Sequence, residues 1–322
     1  MDTAATNRLE AGDRIGNYRI ECEASRDARL VAYRAVHVVL PRRAIVKLMH
    51  GPSDQPLIVH MLREACMLDA LDHPGIVRIY DAGLYEGRPW FAAELADGPT
   101  IQSLAPGAIE RVEALALLRD LAEVLEHASR RGVVHCGLRP DRVVMTDHSR
   151  GYPICITDWC DARAHDADPQ RPAASRYTSP ELASGDPIDD RTDVFAVGVI
   201  AYEMLTGRVP FGGGVCAVVD DGTPQHVPTE VHCPDVPPEL TKLVDSMLAY
   251  DRWDRPSIAE VFAELSWLAD VPTTPIVSRP RAAGSVRIRR PRWTPALSFS
   301  HDRVKTVTDL ASKPPGDGDE RE

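Results

Sequence analysis

The chain has 322 residues, 43% of them hydrophobic and 26% charged, which is enough for one large domain or two modest ones and is neither collagen-like nor disordered in composition. It lacks the long apolar run of a membrane-spanning helix and the basic-then-apolar start of a secretory signal, so neither is expected. Its seven cysteines are dispersed, with no Cys-x-x-Cys pair, which argues for free thiols in a reducing, cytoplasmic setting and against a disulfide framework or a zinc site.

The net charge is -11, from 37 basic and 48 acidic residues, and only four of the basic ones are lysine (Lys47, Lys242, Lys305, Lys313). Residues 1–16 read as a flexible lead-in. From there to residue 97 the pattern is mainly one of strands: 17–22, 29–37 and 43–49 are β-branched or alternating, and 76–83 and 88–95 follow. One helix interrupts them, with Leu57, Met61, Ala65 and Leu68 on a single face. Over 98–270 helices take over. Leu117, Leu118, Leu121, Val124 and Leu125 form a stripe that closes at Arg130, Arg131 and Gly132. Residues 193–206 are apolar on nearly every side and stop at Gly207, the pattern of a helix buried all round. A capping box, Ser257 to Glu260, opens the last helix. The expected architecture is therefore α+β, with a small β-rich lobe joined near Ala96–Pro99 to a larger helical lobe and a ligand cleft between them. Residues 271–322 are rich in Pro and Arg and read as a disordered tail.

The order of motifs resembles the protein kinase family in its bacterial serine/threonine form, over roughly residues 17–270. Ala44-Ile45-Val46-Lys47 looks like the V-A-I-K strand motif, and Glu64 matches the acidic partner of that lysine. His73-Pro74 follows the helix as in the family. Glu94-Leu95-Ala96, after the small Ala93, looks like the hinge. Asp158 opens the D-F-G position, Ser179-Pro180-Glu181 is similar to A-P-E, Asp193 and Gly198 match the start of the buried helix, and Arg255 matches the partner of the A-P-E glutamate. Lys47 is the only lysine before residue 242. A compact ammonium suits a place between phosphate oxygens and a glutamate better than a guanidinium fork does. The alternative for it is a surface lysine snorkelling from a strand edge. The resemblance implies a two-lobed kinase fold, with ATP and magnesium as cofactors, Lys47, Glu64, Glu94, Ala96 and Asp158 as the nucleotide-binding set, and Asp158 as a weak metal ligand.

Several catalytic parts of the family pattern are replaced. The loop that should read H-R-D-L-x-x-x-N reads His135-Cys136-Gly137-Leu138-Arg139-Pro140-Asp141-Arg142. Gly137 stands where an aspartate would accept the substrate proton, Arg142 where an asparagine would hold magnesium, and Arg139 at the loop lysine. Asp141 is the fallback carboxylate. In the glycine-rich loop the three positions read Ser25, Asp27 and Leu30, and a charge at Asp27 would repel triphosphate by about 1 kcal/mol or more. Cys160 replaces the D-F-G glycine, and Ala174 replaces a threonine of the activation segment. The pattern is that of a pseudokinase: a cytoplasmic regulatory or scaffolding module with weak ATP binding and little phosphoryl transfer. The alternative is a divergent active serine/threonine kinase. The arginines of 279–292 suit nucleic acid or an anionic membrane surface, but the expectation is a solvated linker that contacts the chain's own acidic surface, with no specific nucleic acid. Expected partners are proteins, an active kinase or a phosphopeptide-binding domain that reads Thr306 or Thr308. His226 and His232 are expected to be structural.

Overall fold

The computed structural model describes residues 8–26, 30–49, 55–104, 110–147, 150–165, 175–212 and 226–270. The chain divides after Ser285, and every described residue belongs to the first unit. The tail over 271–322, with Arg279, Arg292, Thr306 and Thr308, lies outside the described residues, as do Asp27 and Ala174.

The first lobe is a sheet of six strands: β1 (Arg14–Ile15), β2 (Tyr18–Arg26), β3 (Leu30–His37), β4 (Arg43–Met49), β5 (Ile79–Tyr85) and β6 (Arg88–Glu94). Their order is β1-β2-β3-β4-β6-β5, antiparallel throughout, with helix α1 (Gln55–Ala70) between β4 and β5 in sequence. Alternation along β4 buries Ala44, Val46 and Leu48 completely and turns Ile45 and Lys47 to the other face. The buried face packs with Tyr18, Ile20, Val31, Tyr33, Trp90 and Met61 into one apolar cluster.

Two expectations change here. The lead-in expected over 1–16 is anchored at two points: Leu9 is buried and its N–H reaches the Tyr33 hydroxyl at 3.3 Å, while Ile15 is fully buried in β1. Apolar anchoring explains this, since two buried side chains offset the ordering of a short segment. Secondly, the strand expected over 76–83 starts only at Ile79; Ile76 is held in the turn after His73 and makes a lone parallel bridge to Ile156. Ser25 and Leu30, two of the positions expected in a glycine-type loop, lie near the facing ends of β2 and β3, paired with Ala32 and Met49 respectively.

The second lobe contains α2 (Arg111–Ser129), the short strands β7 (Val133–Val134), β8 (Val143–Met145), β9 (Ile154–Ile156) and β10 (Arg163–Ala164), and helices α3 (Pro180–Ser184), α4 (Asp190–Thr206), α5 (Thr229–His232), α6 (Pro238–Met247) and α7 (Ile258–Asp270). β8 pairs with β9 and β7 with β10. Helix α4 is buried from Thr192 to Tyr202 and ends on Gly207, whose φ of 70° is the left-handed cap that a side chain would strain. Its core includes Leu118, Leu121, Val124 and Leu125 of α2 and Trp159. In α7, Glu260 accepts from the Ser257 N–H at 2.7 Å, closing the capping box. The lobes meet at Gly98. A Cβ there would lie 1.9 Å from the Met145 carbonyl oxygen, so only glycine lets the connection pass β8.

Candidate active site

Four segments bring charged side chains together beneath the sheet. Lys47 on β4 sits opposite Phe91 of β6 and over its ring, 5.6 Å from the centroid. Its ammonium donates to Glu64 Oε1 at 2.7 Å and to Asp158 Oδ1 at 2.9 Å. Glu64, on α1, is 2% exposed. Burial alone would lower the lysine pKa, but these carboxylates outweigh it and hold the pKa above the ordinary lysine value.

Asp158 follows β9 with φ of 53°, a left-handed conformation rare for a residue with a side chain. Its second oxygen, Oδ2, lies 2.9 Å from Nη2 of Arg142. Burial would raise its pKa, yet Lys47 and Arg142 together hold it well below the carboxylate range. Arg142 ends the 3-10 turn Pro140–Arg142, and its Nη1 donates to Asp161 Oδ2 at 2.9 Å and to the Gly137 carbonyl at 2.7 Å. One guanidinium therefore clamps two carboxylates and a main-chain oxygen, with its side chain only 12% exposed. Around position 137 the space is taken: a Cβ would fall 2.3 Å from Arg142 Nη1 and 2.5 Å from Asp161 Oδ2.

His135 is fully buried, its ring tilted against Trp159 with centroids 4.6 Å apart, and its Nδ1 accepts from the Gly137 N–H at 3.2 Å. Burial, with Arg142 nearby, pushes its pKa down to about 4, so it is neutral at pH 7. Asp193 of α4 accepts from the His135 and Cys136 N–H groups at 2.6 and 2.9 Å, which fixes the loop to the helix although Cys136 has φ of 59°. Burial pushes Asp193 up to about 7, against those two hydrogen bonds. Farther out, Arg255 spends all five N–H donors: two on Glu181 at 2.9 Å each, and the rest on the carbonyls of Ala249, Arg191 and Tyr250.

The structure thus joins Lys47, Glu64, Asp158, Gly137 and Arg142 around one point. Arg139 and Asp141 stand apart: they pair with each other at 2.8 Å, each about two-fifths exposed, and the Asp141 carboxylate takes no part in the clamp. Glu94 bonds Arg150, which also donates to the carbonyls of Pro74 and Ile76, while Ala96 is half-buried at the lobe connection. Sequence reasoning missed Asp161, whose Asp-x-x-Asp spacing from Asp158 was the available signal, and Arg150, for which there was none. His226 is bonded to Asp245 at 2.9 Å, and His232 packs edge-on against Tyr202.

The magnesium implied by the family resemblance does not fit these residues as arranged. Both Asp158 oxygens already carry a cation, and among the described residues no three His, Cys, Asp or Glu side chains are grouped to hold a metal ion. Nucleotide fits better. Of the three Lys47 donors, two are used here, leaving one for a phosphate oxygen.

A strand-rich lobe and a helical lobe, with the lysine–glutamate–aspartate set between them, define the protein kinase fold class. The chain belongs to the protein kinase family, whose protein kinase domain matches residues 31–268. It is 26% identical to the serine/threonine-protein kinase PknJ of Mycobacterium tuberculosis over 97% of this chain and 55% of PknJ, and 30% identical to PknB of Mycolicibacterium smegmatis over 81% of this chain and 43% of PknB. It therefore spans about half the length of these relatives. The kinase domain of Mycobacterium tuberculosis PknI superposes with a TM-score of 0.63 at 25% identity, over 82% of this chain and all of that one. Among the described residues no helix is long and apolar enough to cross a membrane.

Proposed function

We propose that this chain is a regulatory member of the bacterial serine/threonine kinase family, one that binds ATP weakly through Lys47, Glu64, Asp158 and the Glu94–Ala96 connection and transfers its γ-phosphate poorly. The observation that carries this reading is the Arg142 clamp on Asp158 and Asp161, 2.9 Å from each. A guanidinium on the metal carboxylate, with no side chain at Gly137 to receive the acceptor proton, removes two charge-handling groups. Single groups of that kind are commonly worth a hundredfold to a thousandfold in rate. The binding partner is a protein, an active kinase or a phosphopeptide-binding domain, in the cytoplasm, and the 279–292 arginines contact an acidic surface.

A second reading, a divergent active serine/threonine kinase, is favoured by two observations. The curated relatives cited above are all named serine/threonine-protein kinases, so the comparisons stand nearer to this reading than to the first. In addition, the Asp161 carboxylate lies within 2.5 Å of where a position-137 side chain would begin, and so puts an acid group near the gap. Incubation of the purified full chain with labelled ATP, magnesium or manganese and a generic protein substrate separates the two. The first reading expects no more transfer than from a Lys47→Met, Asp158→Ala double variant; clear excess over that variant establishes the second.

A further inference from the structure

Glycine at 137 and arginine at 142 act as one structural change. Arg142 Nη1 sits 2.7 Å from the Gly137 carbonyl oxygen, in the volume that a Cβ at 137 would enter to within 2.3 Å. The guanidinium can settle there because the side chain is missing. Once settled, its other arm covers Asp158 Oδ2, while Lys47 covers Oδ1, both at 2.9 Å. These cations are only 12% and 14% exposed, so neither pair is well screened by water or salt. A divalent ion approaching Asp158 meets a carboxylate already neutralised from both sides and two like charges beside it.

Resting on the reading of this cleft as a nucleotide site, we propose that Arg142 is its resident cation and that the cleft binds a nucleoside triphosphate without divalent metal. Phosphate oxygens match the guanidinium fork as well as carboxylates do, so a polyphosphate exchanges onto Arg142 and takes the remaining donor of Lys47. The positive charge that a metal would bring with the nucleotide is supplied by the chain.

The test is a titration of the full chain with a fluorescent ATP analogue, in excess magnesium and in EDTA. The expected result is a Kd that agrees within about twofold between the two buffers, whereas Arg142→Asn weakens binding in EDTA by about tenfold or more and regains it with magnesium. Gly137→Ala, whose methyl collides with Arg142 Nη1, shifts in the same direction. A wild-type Kd about tenfold or more tighter with magnesium than in EDTA overturns the proposal, as does no binding in either buffer at millimolar analogue. The wild-type comparison decides even where a variant fails to fold. Phosphoryl transfer is read separately: efficient transfer defeats the impaired-kinase reading and leaves the metal dependence of binding to be judged on its own.

Discussion

Restoring the family residue at position 137 should harm this protein. In Gly137→Asp the new Cβ would stand 2.3 Å from Arg142 Nη1, 2.5 Å from Asp161 Oδ2 and 3.0 Å from Asp161 Cβ. Relieving those contacts means moving a guanidinium that is bonded to Asp158, Asp161 and the Gly137 carbonyl. The added carboxylate would also join two others, Asp158 and Asp161, in a half-buried site. Overpacking of this kind costs about 2 kcal/mol, which for a domain of this size is a fall in Tm of roughly 4–8 °C. Phosphoryl transfer should stay low. Adding Arg142→Asn removes the worst collision, so the double variant should recover part of the stability loss, a favourable coupling of about 1 kcal/mol in a double-mutant cycle. Activity should still remain poor, because the ladder holding Ser25 and Leu30 is unchanged. Thermal unfolding of the four proteins, with the labelled-ATP assay, reads both quantities. An unchanged Tm in Gly137→Asp, or robust activity in the double variant, would refute the reasoning.

Two further outcomes can be checked independently. His135 should titrate near its depressed value of about 4, against an ordinary 6.5, when followed by NMR of the imidazole; a midpoint near 6.5 contradicts its burial against Trp159. Because folding favours the neutral ring, the His135 contribution is complete above pH 6.5 and is lost as pH falls toward 4, by about 3 kcal/mol at most. Asp193 titrates in the opposite sense, so the wild-type minus His135→Gln difference in urea stability isolates the effect. Arg255→Ala strands Glu181, 7% exposed, and removes three other hydrogen bonds, and should cost about 3–5 kcal/mol; a loss below about 1 kcal/mol would show that the pair is dispensable.

Local patterns carried most of the fold. Alternation in 43–49 separated Ala44, Val46 and Leu48 from Lys47, and the uninterrupted apolar run ending at Gly207 announced α4 as buried on all sides. Both follow from periodicity, which needs no knowledge of distant neighbours. What stayed hidden was non-local. The segment from Ile76 reads as strand by composition, but the turn at His73-Pro74 delays pairing until Ile79. In the site, Lys47, Glu64 and Asp158 were legible through a known order of motifs. Asp161 and Arg150 were not, because their roles depend on a carboxylate and a guanidinium reaching across chain separations of 19 and 76 residues.

The occupancy of Asp158 is the point on which all of this turns. A crystal structure of the full chain, grown with ATP analogue and manganese and measured at a wavelength where manganese scatters anomalously, examines it directly. The account predicts no anomalous peak beside Asp158, with the Arg142 guanidinium still in the cleft and bonded to the nucleotide phosphates. A manganese ion bridging Asp158 and the nucleotide phosphates, with the Arg142 side chain swung out of the cleft, would contradict it.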